Sequence, residues 1–98
     1  MLRYHLFTAA SYWEPNYGSS DVKQDFDFLL HFSPVHNVKP VAYPAMIVST
    51  AYQDDRVVPA HAYKLAATLQ ERATAKSGPI YMQVTKNADH NSGGTNLL

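Results

Sequence analysis

The sequence predicts an α/β fold, a βαβ unit with parallel strands preceded by one further helix, and three observations carry that expectation. Tyr43 to Thr50 is an apolar run with β-branched residues between a proline and a polar turn, the pattern of a short buried strand. From Pro59 to about Ala73 the apolar positions Ala62, Leu65, Ala66, Leu69 and Ala73 follow a helical rhythm, and Pro59 suits a first helical position, where no backbone donor is needed. After the turn Lys76-Ser77-Gly78-Pro79, the segment Ile80 to Thr85 alternates as a second strand. A helix crossover of this length makes the two strands parallel, so the loops that follow them emerge at one edge of the sheet.

The remaining elements are read in order. Met1 to Thr8 alternates loosely and fits either a strand end or a helical turn. Ala9 to Ser20 reads as a loop, because Pro15, Asn16 and Gly18 are turn residues; the rings of Tyr12, Trp13 and Tyr17 in it call for a cover or a ligand. Asp21 to Phe32 is an amphipathic helix with Ser20 as its cap, Asp21 at the positive end and Val22, Phe26, Leu29 and Leu30 on one face; Pro34 ends it. Val35 to Ala42 is a polar link into the first strand.

With 98 residues the chain is expected to be one domain, without an internal boundary, and 46% hydrophobic residues with seven tyrosines argue against disorder. Eight basic and eight acidic side chains cancel, which removes any electrostatic reason to expect nucleic acid or an anionic membrane as partner. Cysteine is absent, excluding a disulfide scaffold and a thiolate nucleophile and agreeing with a reducing compartment. No apolar run approaches the ~18 residues of a membrane span, and the start lacks the apolar core of a signal peptide. A soluble, cytoplasmic protein is expected.

The chemistry concentrates at the predicted sheet edge. Asp54-Asp55-Arg56 lies in the loop after the first strand, and the loop after the second, Lys86 to Gly94, carries His90. Loops at the carboxyl ends of parallel strands form the ligand-binding edge of open α/β sheets, and neighbouring strands lie ~5 Å apart, so an Asp and a His there come within hydrogen-bond reach. A carboxylate that accepts the Nδ1–H of a histidine fixes its tautomer and stabilises the imidazolium, which makes the ring a general base. Asp then His, each after a strand, is the order found in α/β-hydrolases behind an earlier nucleophilic Ser.

Beyond spacing, Met1-Leu2-Arg3-Tyr4-His5, Trp13, Tyr17-Gly18, Ser20-Asp21, Lys23-Gln24, Ser33-Pro34, His36-Asn37-Val38-Lys39, Tyr43-Pro44, Asp54-Asp55-Arg56-Val57-Val58-Pro59 and Ala67-Thr68-Leu69-Gln70 resemble the C-terminal part of the catalytic domain of the prolyl oligopeptidase family, nearly end to end and in family order. The resemblance implies a partial α/β-hydrolase fold over residues 1–98 and a serine-type endopeptidase that cleaves after proline in short peptides. Asp54 matches the triad aspartate and His90 the triad histidine. Arg56 matches the arginine that anchors the substrate's main-chain carbonyl. Trp13 matches the indole that stacks on the proline ring, and Tyr17 and Val57 match walls of the same pocket.

Each assignment has a plainer rival. One imidazole needs one carboxylate, so Asp55 reads as structural or solvent-facing; Arg56 can be its surface ion-pair partner, and Trp13 a core residue. The other histidines, His5, His31, His36 and His61, lack ligand spacing, so neither a metal nor a cofactor is expected. The chain also departs from the family. No G-x-S-x-G occurs, so the nucleophile-bearing part would lie upstream, and the β-propeller is absent. Asp89 and Asn91 flank His90 where the family has glycines, and Ala9 replaces a larger aliphatic side chain. The expectation is a fragment, inactive alone, whose partners are short proline-containing peptides and the missing remainder of the catalytic domain and propeller. The alternative is an inactive truncated relative that binds proline peptides as a decoy.

Overall fold

The computed structural model describes residues 1–91; Ser92, Gly93 and Gly94 of the expected histidine loop lie outside the described residues. The chain forms two compact units, Met1–Asn37 and the part from Val38 onward.

The first unit is helical throughout. Two 3₁₀ turns, Tyr4–Leu6 and Ala10–Trp13, lead into the single turn α1 (Glu14–Tyr17), followed by α2 (Lys23–Phe32) and a 3₁₀ turn at Pro34–His36. Residues 9–20, expected to be a loop, are therefore mostly helical. Pro15 sits in the first turn of α1, where its locked φ and missing donor cost nothing, and Gly18 ends that turn at φ 80°. A side chain on Gly18 would meet the Asp25 carboxyl at 2.7 Å, so the position is doubly restricted to glycine.

Tyr4, Ala10 and Leu29 form the core of this unit, with Met1, Leu2 and Trp13 packed against them. Tyr4 is tied in at its polar end, where its hydroxyl donates to the Gly18 carbonyl at 2.7 Å. The start of α2 differs from expectation: Val22 is the cap residue, and Ser20 Oγ donates instead to the Leu2 carbonyl at 2.5 Å. Asp25, in the first turn, accepts the Ser19 N–H at 3.1 Å and suits the positive helix end. Of the expected apolar face only Leu29 is fully buried; Phe26 is half-buried, and Val22 and Leu30 are exposed.

The second unit is the βαβ crossover. Strands β1 (Met46–Ala51) and β2 (Ile80–Thr85) run parallel, paired from Met46↔Ile80 to Ala51↔Thr85, and α3 (Ala60–Arg72) connects them. Strand β2 has its expected bounds. Strand β1 starts three residues later than expected because Pro44 has no N–H for a ladder. Pairing nevertheless begins ahead of it, with the Gly78 N–H donating to Tyr43 O and the Met46 N–H to Pro79 O, both at 2.9 Å. Gly78 is obligatory there: a Cβ would lie 2.5 Å from the Ala45 nitrogen.

Pro59 is the N-cap of α3 rather than its first residue, one position from the expected start. Ala66 and Leu69 are buried and Ala62, Leu65 and Ala73 half-buried, so the predicted stripe is the packed face of the helix. Along β1, half-buried Met46, Val48 and Thr50 alternate with exposed Ile47 and Ser49, as expected for a sheet with one covered face. Among the described residues no helix is long and apolar enough to cross a membrane.

Candidate active site

Beyond the last paired residues of β1 and β2 the two chains stay joined for two more steps. The Tyr52 N–H donates to Thr85 O at 3.0 Å and the Gln53 N–H to Ala88 O at 3.1 Å. Ala88 is 1% exposed, so the loop after β2 is anchored by a packed methyl as well as by that hydrogen bond. This extension carries Asp54 and His90, 36 positions apart in the chain, to the same place.

There Asp54 Oδ2 lies 2.9 Å from His90 Nδ1. The other carboxylate oxygen, Oδ1, accepts two backbone donors, Arg56 N–H at 3.0 Å and Val57 N–H at 2.8 Å. An aspartate that accepts from residues two and three positions ahead is the ordinary side-chain closure of a turn entering a helix. The same carboxylate thus shapes its own loop and faces the imidazole. The Asp54 side chain is 10% exposed and that of His90 37%.

The electrostatics follow from this packing. Desolvation alone pushes the Asp54 carboxyl up, but the Val57 N–H, the His90 ring and the Arg56 N–H together outweigh it and hold it below its ordinary value of 3.8. An ionised carboxylate only accepts hydrogen bonds, so the proton between the two groups belongs to His90 Nδ1. An imidazole held in this way can act chemically as a general base oriented by a carboxylate.

The other residues singled out in the sequence are distributed between the two units. Arg56 and Val57 follow Asp54 directly; the Arg56 side chain is exposed and Val57 half-buried. Asp55 is exposed. Trp13 and Tyr17 belong to the first unit, where Trp13 is half-buried against the Tyr4, Ala10 and Leu29 core. The Tyr17 ring stands edge-on to Tyr4 with centroids 6.0 Å apart and is 49% exposed. Sequence reasoning missed the double backbone anchor of Asp54 and the Gln53–Ala88 tie. An aspartate followed two and three residues on by backbone donors of a turn is a signal for the first.

Comparison with known proteins identifies the family. The model of the prolyl oligopeptidase family matches residues 1–97. Prolyl endopeptidase from Elizabethkingia miricola is 45% identical over 95 residues, and that from Dictyostelium discoideum 42% over 96; the match covers 95% of this chain in both cases. The chain spans about 13% of the length of these curated relatives. Among solved structures, a prolyl endopeptidase superimposes with a TM-score of 0.87 at 38% identity, covering 94% of this chain and 14% of that one. Prolyl oligopeptidase B from Galerina marginata, bound to a 35-residue hydrolysis and macrocyclization substrate, superimposes with a TM-score of 0.83 at 34% identity, covering 88% and 12%. The chain belongs to the prolyl oligopeptidase family.

Proposed function

We propose that these residues are the C-terminal part of an α/β-hydrolase catalytic domain in a cytoplasmic serine endopeptidase that cleaves after proline in short peptides. The observation that carries this reading is the 2.9 Å contact between Asp54 and His90, made by a carboxylate whose second oxygen is occupied by its own loop. In the proposed reaction a serine from outside this chain attacks the prolyl carbonyl, and His90 Nε2 takes its proton and later delivers it to the leaving amine. Asp54 holds the tautomer and stabilises the imidazolium. The exposed Arg56 orients the substrate's main-chain carbonyl; from the family resemblance Trp13 takes the role of stacking on the pyrrolidine ring, and Tyr17 and Val57 those of pocket walls.

The test is hydrolysis of a Gly-Pro amide by a full-length protein that includes the nucleophile-bearing segment. Saturable cleavage that disappears in His90→Ala is expected, and the 98-residue chain by itself is expected to show none. Undiminished turnover in His90→Ala overturns the assignment. Binding of proline peptides that depends on Trp13, without turnover in the full-length protein, replaces the peptidase with the decoy module.

A further inference from the structure

Asp54 is held by its loop, which raises the question of what holds its partner. His90 sits in the turn that follows β2, with one anchor on each side. Ahead of it, buried Ala88 is tied through its carbonyl to the Gln53 N–H. Around it, Asp89 Oδ1 accepts the Asn91 N–H at 3.0 Å, so the Asp89 side chain closes a turn whose middle residue is His90. A side-chain oxygen that accepts the N–H two residues ahead restricts the backbone of the residue between them, and with it the direction in which that residue's Cβ points.

We propose that Asp89 is a positioning residue for His90: by closing this turn it fixes the His90 backbone so that Nδ1 faces Asp54. The catalytic weight of this role rests on the peptidase reading above, but the positioning itself does not. The turn uses one oxygen as an acceptor, and an asparagine amide offers the same oxygen at the same place. For closing this turn the requirement is an acceptor, which asparagine also supplies.

The test reads the His90 tautomer directly. A full-length protein that includes the nucleophile-bearing segment is labelled with ¹⁵N at the histidine rings, His90 signals are identified by their loss in His90→Gln, and two-bond ¹H–¹⁵N spectra are recorded for wild type, Asp89→Ala and Asp89→Asn. Backbone amide spectra of β1 and β2 from the same samples report whether the fold persists. Wild type and Asp89→Asn are expected to show a single Nδ1–H tautomer for His90, and Asp89→Ala a mixture with the Nε2–H form while the strand amides stay in place. A fixed tautomer in Asp89→Ala, a mixed one in Asp89→Asn, or averaging already in wild type overturns the proposal. If Asp89→Ala disturbs the strands, Asp89→Glu, whose longer side chain moves the acceptor away from the Asn91 N–H, takes its place, with the same mixture expected and a fixed tautomer overturning the proposal. Because no turnover is measured, failure here leaves the peptidase reading standing, and failure of the peptidase reading leaves this one standing. In an assembled peptidase the expected cost of Asp89→Ala is roughly 3- to 10-fold in kcat, the scale of one lost hydrogen bond, with restoration in Asp89→Asn.

Discussion

The two loops that leave the sheet hold their functional groups differently. Asp54, after β1, is nearly enclosed, with one oxygen engaged by two backbone donors and the other facing His90. His90, after β2, keeps over a third of its side chain exposed and meets Asp54 through Nδ1. The carboxylate is enclosed and the imidazole is more accessible, a division that would suit the proposed roles of an orienting group and a base that must reach a substrate.

The largest effect that sharpens this contrast is expected from Asp54→Asn. The asparagine oxygen still accepts from Arg56 and Val57, so the loop persists, but its amide presents a donor to His90 Nδ1 and inverts the tautomer. In an assembled peptidase kcat is expected to fall roughly 10⁴-fold with little change in the thermal midpoint; a loss within a factor of a few breaks the contrast. Next comes Ala88→Leu, which forces extra methylenes into a packed position beside the Gln53 hydrogen bond. A loss of about 1–3 kcal/mol in urea unfolding is expected. Wild-type stability in Ala88→Leu would show that the loop after β2 is held by hydrogen bonds alone.

The smallest effect is on acid stability. The folded state holds the Asp54 carboxyl below its ordinary value, so its contribution is complete above that value, near pH 4, and is lost as pH falls through the folded value. Denaturant midpoints measured between pH 5 and pH 2 are expected to fall less steeply in Asp54→Asn than in wild type. Parallel curves would mean that Asp54 is not the group that responds.

The sheet and its crossover were legible because each rests on periodicity, which also brought His90 to the same edge as Asp54 and Asp55; the choice of Asp54 came from the family resemblance. Alternation over Ile80 to Thr85 defines a strand, a 3.6-residue stripe through Ala66 and Leu69 defines α3, and together they leave no freedom in where the two loops emerge. Residues 9–20 were not legible for the same reason in reverse. A 3₁₀ turn and one turn of α-helix are too short to show a period, and Pro15, Asn16 and Gly18 serve a tight turn and a short helix equally well. The Ser20 cap failed because its hydroxyl found the Leu2 carbonyl, a contact 18 residues away that local pattern does not contain. The polar closures around Asp54 and His90 depend on which way a side-chain oxygen turns within its loop, and composition alone does not encode it.

The unbroken pairing from Met46↔Ile80 to Ala51↔Thr85, continued by Tyr52 and Gln53, has a consequence for how chain length can vary. One residue added to or removed from either strand would turn over every side chain beyond it and displace one loop by about 3.3 Å along the other. Asp54 and His90 would then no longer face each other. The connection between α3 and β2 ahead of Gly78 lies at the other end of the strands, where the Tyr43 N–H donates to Ser77 Oγ at 2.9 Å and the Thr74 N–H to Val41 O at 3.3 Å. A change of length there would break those ties but is expected to leave the strand register, and with it the Asp–His pair, in place.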